Sequence, residues 1–183
     1  PGTRQELLNK LKQSVKEKRY RHILGVEQTA ISLAEINQVD LEKASVAGLV
    51  HDYAKERTTA EFKAAIQQYQ LDSDLLNWGN FIWHGVVGAE IIRDELKITD
   101  PEILNAVRRH TVGAVKMTKL DKLIYVADFI EPSRDFPDVE FARSLAFADL
   151  DQAVRFETKH TLEYLVNSSQ TIYPPAIDTY NQW

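Results

Sequence analysis

The 183-residue chain contains no cysteine. That absence excludes a disulfide scaffold, a thiolate zinc site, an iron–sulfur cluster and a cysteine nucleophile, and it fits a cytoplasmic location. Glycine and proline are sparse, at 7 and 6 residues, and no linker-like run of them marks a domain boundary. Basic residues do not predominate either. With 22 Lys and Arg against 27 Asp and Glu the net charge is -5, which argues against nucleic acid as a partner. No apolar run approaches the roughly 18 residues that span a bilayer, and no signal-peptide core opens the chain, so no membrane partner is expected. The Pro1-Gly2 dipeptide reads as a cloning remnant and carries no weight. What is present is ordinary for a folded chain, 44% hydrophobic and 27% charged. Without sulfur ligands, a transition metal would depend on the five histidines and on carboxylates.

Apolar residues recur at spacings of three and four and show no β-alternation. Leu7, Leu8, Leu11 and Val15 form one stripe, and Ile23, Val26, Ala30, Leu33 and Ala34 the next. Asp40 can cap a helix through Leu41 to Val50, and Thr58 with Glu61 is a capping box. Phe81, Ile82, Val86, Ala89 and Ile92 mark a helix over 80–96. Asp100-Pro101 opens another, with Gly113 as its stop. Thr118 and Asp121 open the next, which Pro132 closes, and a long helix is expected over about 149–168. The stretches Glu131–Val139 and Tyr173 onward read as irregular loops because proline clusters there. The expectation is an all-α chain forming a single domain over 1–183, with its core at about 18–170 and a C-terminal tail, 171–183, packed on it.

His22, His51, His84 and His110 each fall on one of these helices. A lone histidine on an amphipathic helix is ordinarily a packed or solvated residue. Two acids are harder to accommodate. Asp52 follows the apolar Gly48-Leu49-Val50, and Asp128 follows Leu123-Ile124-Tyr125-Val126-Ala127. A buried, ionised carboxylate costs several kcal/mol unless it is paired or binds a cation. One bound cation would resolve both acids and the histidines together. His160, flanked by Lys159 and Thr161 with Glu163 three residues on, reads as an exposed non-ligand. Trp78, Trp83 and Trp183 read as packing residues.

The order His22, His51-Asp52, Asp128 resembles the four-ligand pattern of the HD-domain phosphohydrolase superfamily, and His84 and His110 between them resemble its two-metal subset. Arg21-His22, His51-Asp52-Tyr53-Ala54-Lys55-Glu56, Arg109-His110-Thr111-Val112-Gly113 and Ala127-Asp128-Phe129-Ile130-Glu131-Pro132-Ser133-Arg134 look like the YqeK-type members. The likeness runs from Arg21 to the Tyr173-Pro174-Pro175 tail; Val112 departs from the threonine most often expected there. It implies an HD-domain helical bundle, a symmetrical dinucleoside-tetraphosphatase that cuts diadenosine tetraphosphate into two ADP at an iron-dependent centre.

The resemblance further implies one metal on His22, His51, Asp52 and Asp128 and a second on His84 and His110, with Asp52 bridging them. Nitrogen and oxygen donors suit iron, manganese, cobalt or nickel alike. Lys55, four residues after His51, is expected on the same helical face to stabilise phosphate charge, and Arg134 to reach a phosphate with its planar fork. Arg21 and Arg109 adjoin ligands, but a helical neighbour points about 100° away, so they could equally support the ligands or form ion pairs. Thr111 and Gly113 are expected at the mouth of the site, and the Tyr173-Pro174 segment as a base-stacking wall. The rival readings are a nucleotide phosphatase or cyclic-nucleotide phosphodiesterase on the same metal site, and a nucleotide-sensing metal protein. A helical surface rich in leucine and valine could also pair two copies into a homodimer.

Overall fold

The capping signals sit at helix starts in the computed structural model, which describes residues 2–183. Pro1, and with it half of the Pro1-Gly2 dipeptide, lies outside the described residues. Helix α1 covers Arg4–Ser14, α2 Glu17–Asn37, α3 Leu41–Val50, α4 Thr59–Gln68, α5 Asn80–Glu95 and α6 Pro101–Arg109. Then come α7 Lys119–Ile130, α8 Val139–Ala148, α9 Leu150–Asn167 and α10 Pro174–Gln182, with a short 3-10 turn at Ser73–Asn77 and no strand among the described residues. The Asp40 carboxylate accepts from the Lys43 amide at 3.1 Å. Both capping boxes, Thr58 with Glu61 and Thr118 with Asp121, close in both directions. Asp149 caps α9, so the long helix stands within a residue of its expected bounds.

Three local readings are corrected. Helix α6 ends at Arg109 with His110 as its C-cap, short of Gly113. The segment after Tyr173 is a helix: Pro174 and Pro175 occupy its first turn, where a missing N–H leaves no bond unmade. The irregular stretch ends at Asp138 and not at Val139, because Val139 opens helix α8. No helix is long and apolar enough to cross a membrane.

Helix α2 lies at the centre, packed against α3 and α7; α5 and α6 pack on each other, and α9 covers α7. Leu11, Ile23, Leu33, Leu49, Ile92, Leu123, Ile124 and Tyr125 are fully buried between them. Each such aliphatic side chain stabilises by about 1.5–3 kcal/mol relative to exposure. Leu7, Leu8 and Leu11 of α1 join this core although they precede residue 18. Ala176 of α10 joins it from the tail. Helices α2 and α3 meet almost backbone to backbone, because a Cβ at Gly48 would lie 2.9 Å from the Glu27 Cα. That close approach sets His22 on α2 beside His51 at the end of α3.

Candidate metal centre

Five helices deliver the six candidate ligands to one point. His22 lies in the second turn of α2, and His51 and Asp52 directly follow α3. His84 comes from α5, His110 from the C-cap of α6 and Asp128 from the last turn of α7. Each imidazole is oriented through its Nδ1. His51 donates to the Gly48 carbonyl, His84 to that of Asn80 and His110 to that of Val107, each at 2.7 Å. His22 donates to the Glu131 carboxylate at 2.5 Å. A carbonyl oxygen only accepts, so these contacts place a proton on Nδ1 and leave Nε2 free to ligate. The Nε2 atoms of His22, His51 and His110 are buried without a hydrogen-bond partner.

Those nitrogens face carboxylate oxygens. Asp52 Oδ2 lies 3.5 Å from His22 Nε2 and 3.4 Å from His51 Nε2. Its other oxygen, Oδ1, lies 3.6 Å from His84 Nε2 and 3.5 Å from His110 Nε2. Asp128 Oδ1 stands 2.9 Å from His22 Nε2 and 3.4 Å from His51 Nε2. Two groups result, His22, His51, Asp52 and Asp128, and Asp52, His84 and His110, with the ligand atoms of each within 4.8 Å of one another. Lone pairs on nitrogen and oxygen repel across such gaps unless positive charge stands between them. The donor set therefore fits a metal ion, with Nδ1 contacts of the kind that orient metal-bound imidazoles.

Without a cation, protons take that place. Burial works against charge on His22, yet hydrogen bonds with Asp128, Asp52 and Glu131 carry it up to about 10. Burial is likewise outweighed at His51, which Asp52 and Asp128 raise to about 9. His84 moves the opposite way, to about 3, because burial is joined by the charge of His110. Asp52 and Asp128 resist the effect of their own burial and stay well below the usual carboxylate range through the surrounding histidines.

The centre opens into a two-lobed cleft. Arg19, Lys55, Arg134 and Phe136 stand where the lobes meet. One lobe, of about 400 Å³, is walled by Phe81, Phe129, Phe136, Thr111, Glu157 and Thr161 and reaches Asp52, His84, His110 and Asp128. The other, of about 810 Å³, is lined by Lys16, Lys18, Glu56, Ser133 and Asp135 and reaches His22. Arg19 donates to Asp52 Oδ2 at 3.0 Å, and Arg134 to the Asp128 carbonyl at 3.0 Å. Burial lowers the Lys55 ammonium; Asp52 opposes that shift and Arg19 adds to it.

Lys55, Arg134 and Thr111 thus stand with the six candidate ligands. Lys55 does so from a turn, since α3 stops at Val50 and does not carry it on a helical face. Five expected substrate contacts are not at the cleft. Arg21 is exposed in a separate groove with Lys12, Glu17 and Tyr20. Arg109 turns away to Asp121 at 2.6 Å, an ion pair that also ties α6 to the α7 cap. Gly113 adopts φ +69, and a Cβ there would lie 2.8 Å from Thr179, so glycine is what lets α10 dock. Tyr173 packs edge-on against Trp78 at 4.9 Å, and Pro174 is exposed in the first turn of α10. Neither forms a base-stacking wall.

His160 belongs to neither ligand group, yet it is not on an exposed face; it packs on Phe129 and Phe136 with ring centroids at 5.3 and 5.1 Å. Trp83 is buried and donates to the Leu75 carbonyl, and Trp183 donates to that of Ala114. Sequence reasoning missed Arg19, Glu131, Glu157 and the phenylalanine wall. Arg19 carried a signal, since it precedes His22 by three residues and so shares its helix face. Glu131 lay inside a quoted run without a role. It anchors His22 and accepts from the Ser133 amide and hydroxyl at 2.5 and 2.7 Å.

Residues 19–133 match the family model described as HD domain. The chain is 43% identical over 178 residues to the symmetrical bis(5'-nucleosyl)-tetraphosphatase of Bacillus subtilis (strain 168), covering 97% of this chain and 96% of that one. To the protein of the same description from Halalkalibacterium halodurans it is 40% identical over 179 residues, covering 98% and 96%. A crystal structure of an HD superfamily hydrolase from Clostridium acetobutylicum, described as involved in NAD metabolism, superposes with a TM-score of 0.94 at 32% identity, covering 98% of this chain and 96% of that one.

Proposed function

The chain belongs to the HD-domain family and, within it, to the symmetrical bis(5'-nucleosyl)-tetraphosphatases, and from that premise we propose that it cuts diadenosine tetraphosphate at its centre into two ADP. The observation that carries this reading is the Asp52 carboxylate. Its two oxygens face two separate histidine pairs at the junction of a two-lobed cationic cleft. A symmetrical cut requires half of the substrate on each side of the reacting phosphorus, and the lobes lie on either side of that junction.

Two metal ions per chain are proposed, one held by His22, His51, Asp52 and Asp128 and the other by His84, His110 and the second oxygen of Asp52. Iron follows from the family resemblance, and the same donors suit manganese, cobalt or nickel. Such a pair supplies Lewis acidity, which makes water nucleophilic near neutral pH and neutralises phosphoryl charge.

The protein's own groups do the rest. Arg19 and Lys55 face the junction and hold the attacked phosphate, so the low-dielectric cleft strengthens their attraction for the charge that builds there. Arg134, held by the Asp128 carbonyl, presents its remaining N–H groups to the leaving phosphate. Lys16 and Lys18 extend the cationic track into the larger lobe and engage the phosphates of the second half. No protein nucleophile is required, in keeping with a chain that lacks cysteine.

The test is product chromatography after incubating the metal-loaded protein with diadenosine tetraphosphate. ADP is expected as the sole nucleotide product. AMP with ATP would refute the symmetrical cut, and absence of turnover with iron, manganese or cobalt would refute the hydrolase reading.

A further inference from the structure

The segment after α7 takes its shape from a residue outside it. Residues 131–134 form a turn in which the Arg134 amide donates to the Glu131 carbonyl at 2.9 Å. Pro132 stands at the first corner, where its fixed φ suits the bend. The turn delivers two side chains to the centre. The Glu131 carboxylate holds His22, and Arg134 donates through Nε to the Asp128 carbonyl at 3.0 Å, with Nη2 3.4 Å from Asp128 Oδ1.

Arg143, in the second turn of α8, reaches back to this segment. Its Nε donates to the Ile130 carbonyl at 2.9 Å, and its Nη2 to the carbonyls of Glu131 at 2.9 Å and Arg134 at 3.0 Å. Nη1 pairs with Glu140. The Ile130 carbonyl is one of the last-turn groups that a helix leaves unpaired, so that bond is an ordinary cap. The other two span the turn and join its first residue to its last. The Glu131 end is also held by its amide on the Ala127 carbonyl at 3.0 Å, whereas the Arg134 carbonyl accepts from no group but Arg143 among the described residues.

We infer that Arg143 is a positioning residue: by clamping both ends of the 131–134 turn, it fixes where the Arg134 guanidinium meets the leaving phosphate. The inference rests on the hydrolase reading for the role of Arg134 and goes beyond it in naming what aims that side chain. Arg143 lines neither lobe of the cleft, so its effect passes through the turn. The bonding needs arginine. A planar guanidinium directs separate N–H groups at several carbonyls, whereas a lysine ammonium is a single point charge. Lysine would keep the favourable charge at the end of α7 and lose the span across the turn.

Titration calorimetry of ADP into the metal-loaded full-length protein reads the hold on the leaving phosphate, which ADP carries. Metal content, melting temperature and turnover of diadenosine tetraphosphate are measured for the same variants. Arg134→Ala should weaken ADP about tenfold, as loss of a charge-assisted hydrogen bond does. Arg143→Ala should weaken it by at least about fivefold without touching the nucleotide. The double variant should bind within about twofold of Arg134→Ala, because nothing is then left to aim. Arg143→Lys should melt close to the wild type yet bind ADP as weakly as Arg143→Ala.

A double variant about fiftyfold weaker than the wild type, the product of the two losses, would show that Arg143 acts elsewhere and would overturn the inference. Wild-type affinity in Arg143→Lys would also overturn it and leave a helix cap. If Arg143→Ala does not fold, Arg143→Lys with and without Arg134→Ala completes the same cycle. A wild type that binds no ADP leaves Arg134 without a phosphate to hold, and the clamp falls with it. Affinity is read without turnover, so the two readings separate. Coupled losses with no cut of diadenosine tetraphosphate keep the clamp and sink the reaction, whereas a symmetrical cut with independent losses does the reverse.

Discussion

Replacing Glu131 by glutamine should alter the proposed metal centre without touching a candidate ligand. Glu131 is 1% exposed and accepts three hydrogen bonds, from His22 Nδ1 at 2.5 Å, the Ser133 amide at 2.5 Å and the Ser133 hydroxyl at 2.7 Å. A carboxylate satisfies all three because both of its oxygens accept. An amide of the same shape has one accepting oxygen and one donating nitrogen, so one donor must face another donor. If the amide oxygen turns to Ser133, His22 can keep its contact only by moving its proton to Nε2, which removes the lone pair a cation needs. If the oxygen turns to His22, the Ser133 amide is left unpaired, and a buried unpaired donor costs about 1–3 kcal/mol. Loss of a partner that orients a metal-bound histidine lowers metal affinity about 10- to 100-fold. That is a weakening of ~1.4–2.7 kcal/mol at the ion held by His22. The assay is metal content after dialysis against increasing chelator, with the melting temperature followed in parallel. Glu131→Gln should lose metal at a chelator concentration at least tenfold lower than the wild type requires. Wild-type metal retention in a folded Glu131→Gln protein would refute the tautomer argument and reduce Glu131 to a loop brace.

The metal-free protein should lose stability at alkaline pH. His22 and His51 are raised in the folded state to about 10 and about 9, so their contribution is complete below an unfolded value of 6.5 and disappears as pH rises through 9 and 10. Melting temperatures from pH 6 to 10.5 should therefore fall for the metal-free form more steeply than for the loaded form; parallel curves would contradict this. Lys55→Ala should lower kcat/KM by about 100-fold through kcat with metal content unchanged, and a rise in KM with kcat intact would remove Lys55 from charge stabilisation in the transition state. Asp128→Ala should abolish metal retention while His160→Ala keeps it and loses about 1 kcal/mol of packing stability, measured by denaturant titration; the opposite ranking in metal content would exchange their roles.

Signals between near neighbours were legible in the sequence. Asp40, Thr58 and Thr118 cap helices because a cap depends on amides two or three residues away. The two acids among the candidate ligands were legible for another reason, and the resemblance to the HD-domain superfamily joined the four histidines to them. Asp52 and Asp128 conflicted with the apolar runs that carry them, and a polar residue in an apolar run asks for a partner. What failed depended on context. Proline at 174 and 175 suits a first helical turn as well as a loop, and only the docking of Ala176 and Thr179 decides between them. Adjacency favoured Arg21, whereas the helix turn delivers Arg19, three residues before His22. Glu157 could not be distinguished from any other acid of a polar helix until α9 was laid across α7.

The anchoring of the imidazoles has a consequence for the lifetime of the protein. Three of the four rings hang from main-chain carbonyls at or near helix ends, and the fourth from a residue 109 positions along the chain. A cation seated on them acts as a reversible crosslink across the longest loops of the fold, in a chain with no cysteine to make a permanent one. Withdrawal of the ion would lengthen the tethers of five helices at once and leave protonated histidines paired with Asp52 and Asp128 as the only tie at their meeting point. Cellular abundance of the protein would then follow metal supply, because starved molecules open more often and are removed by proteases first.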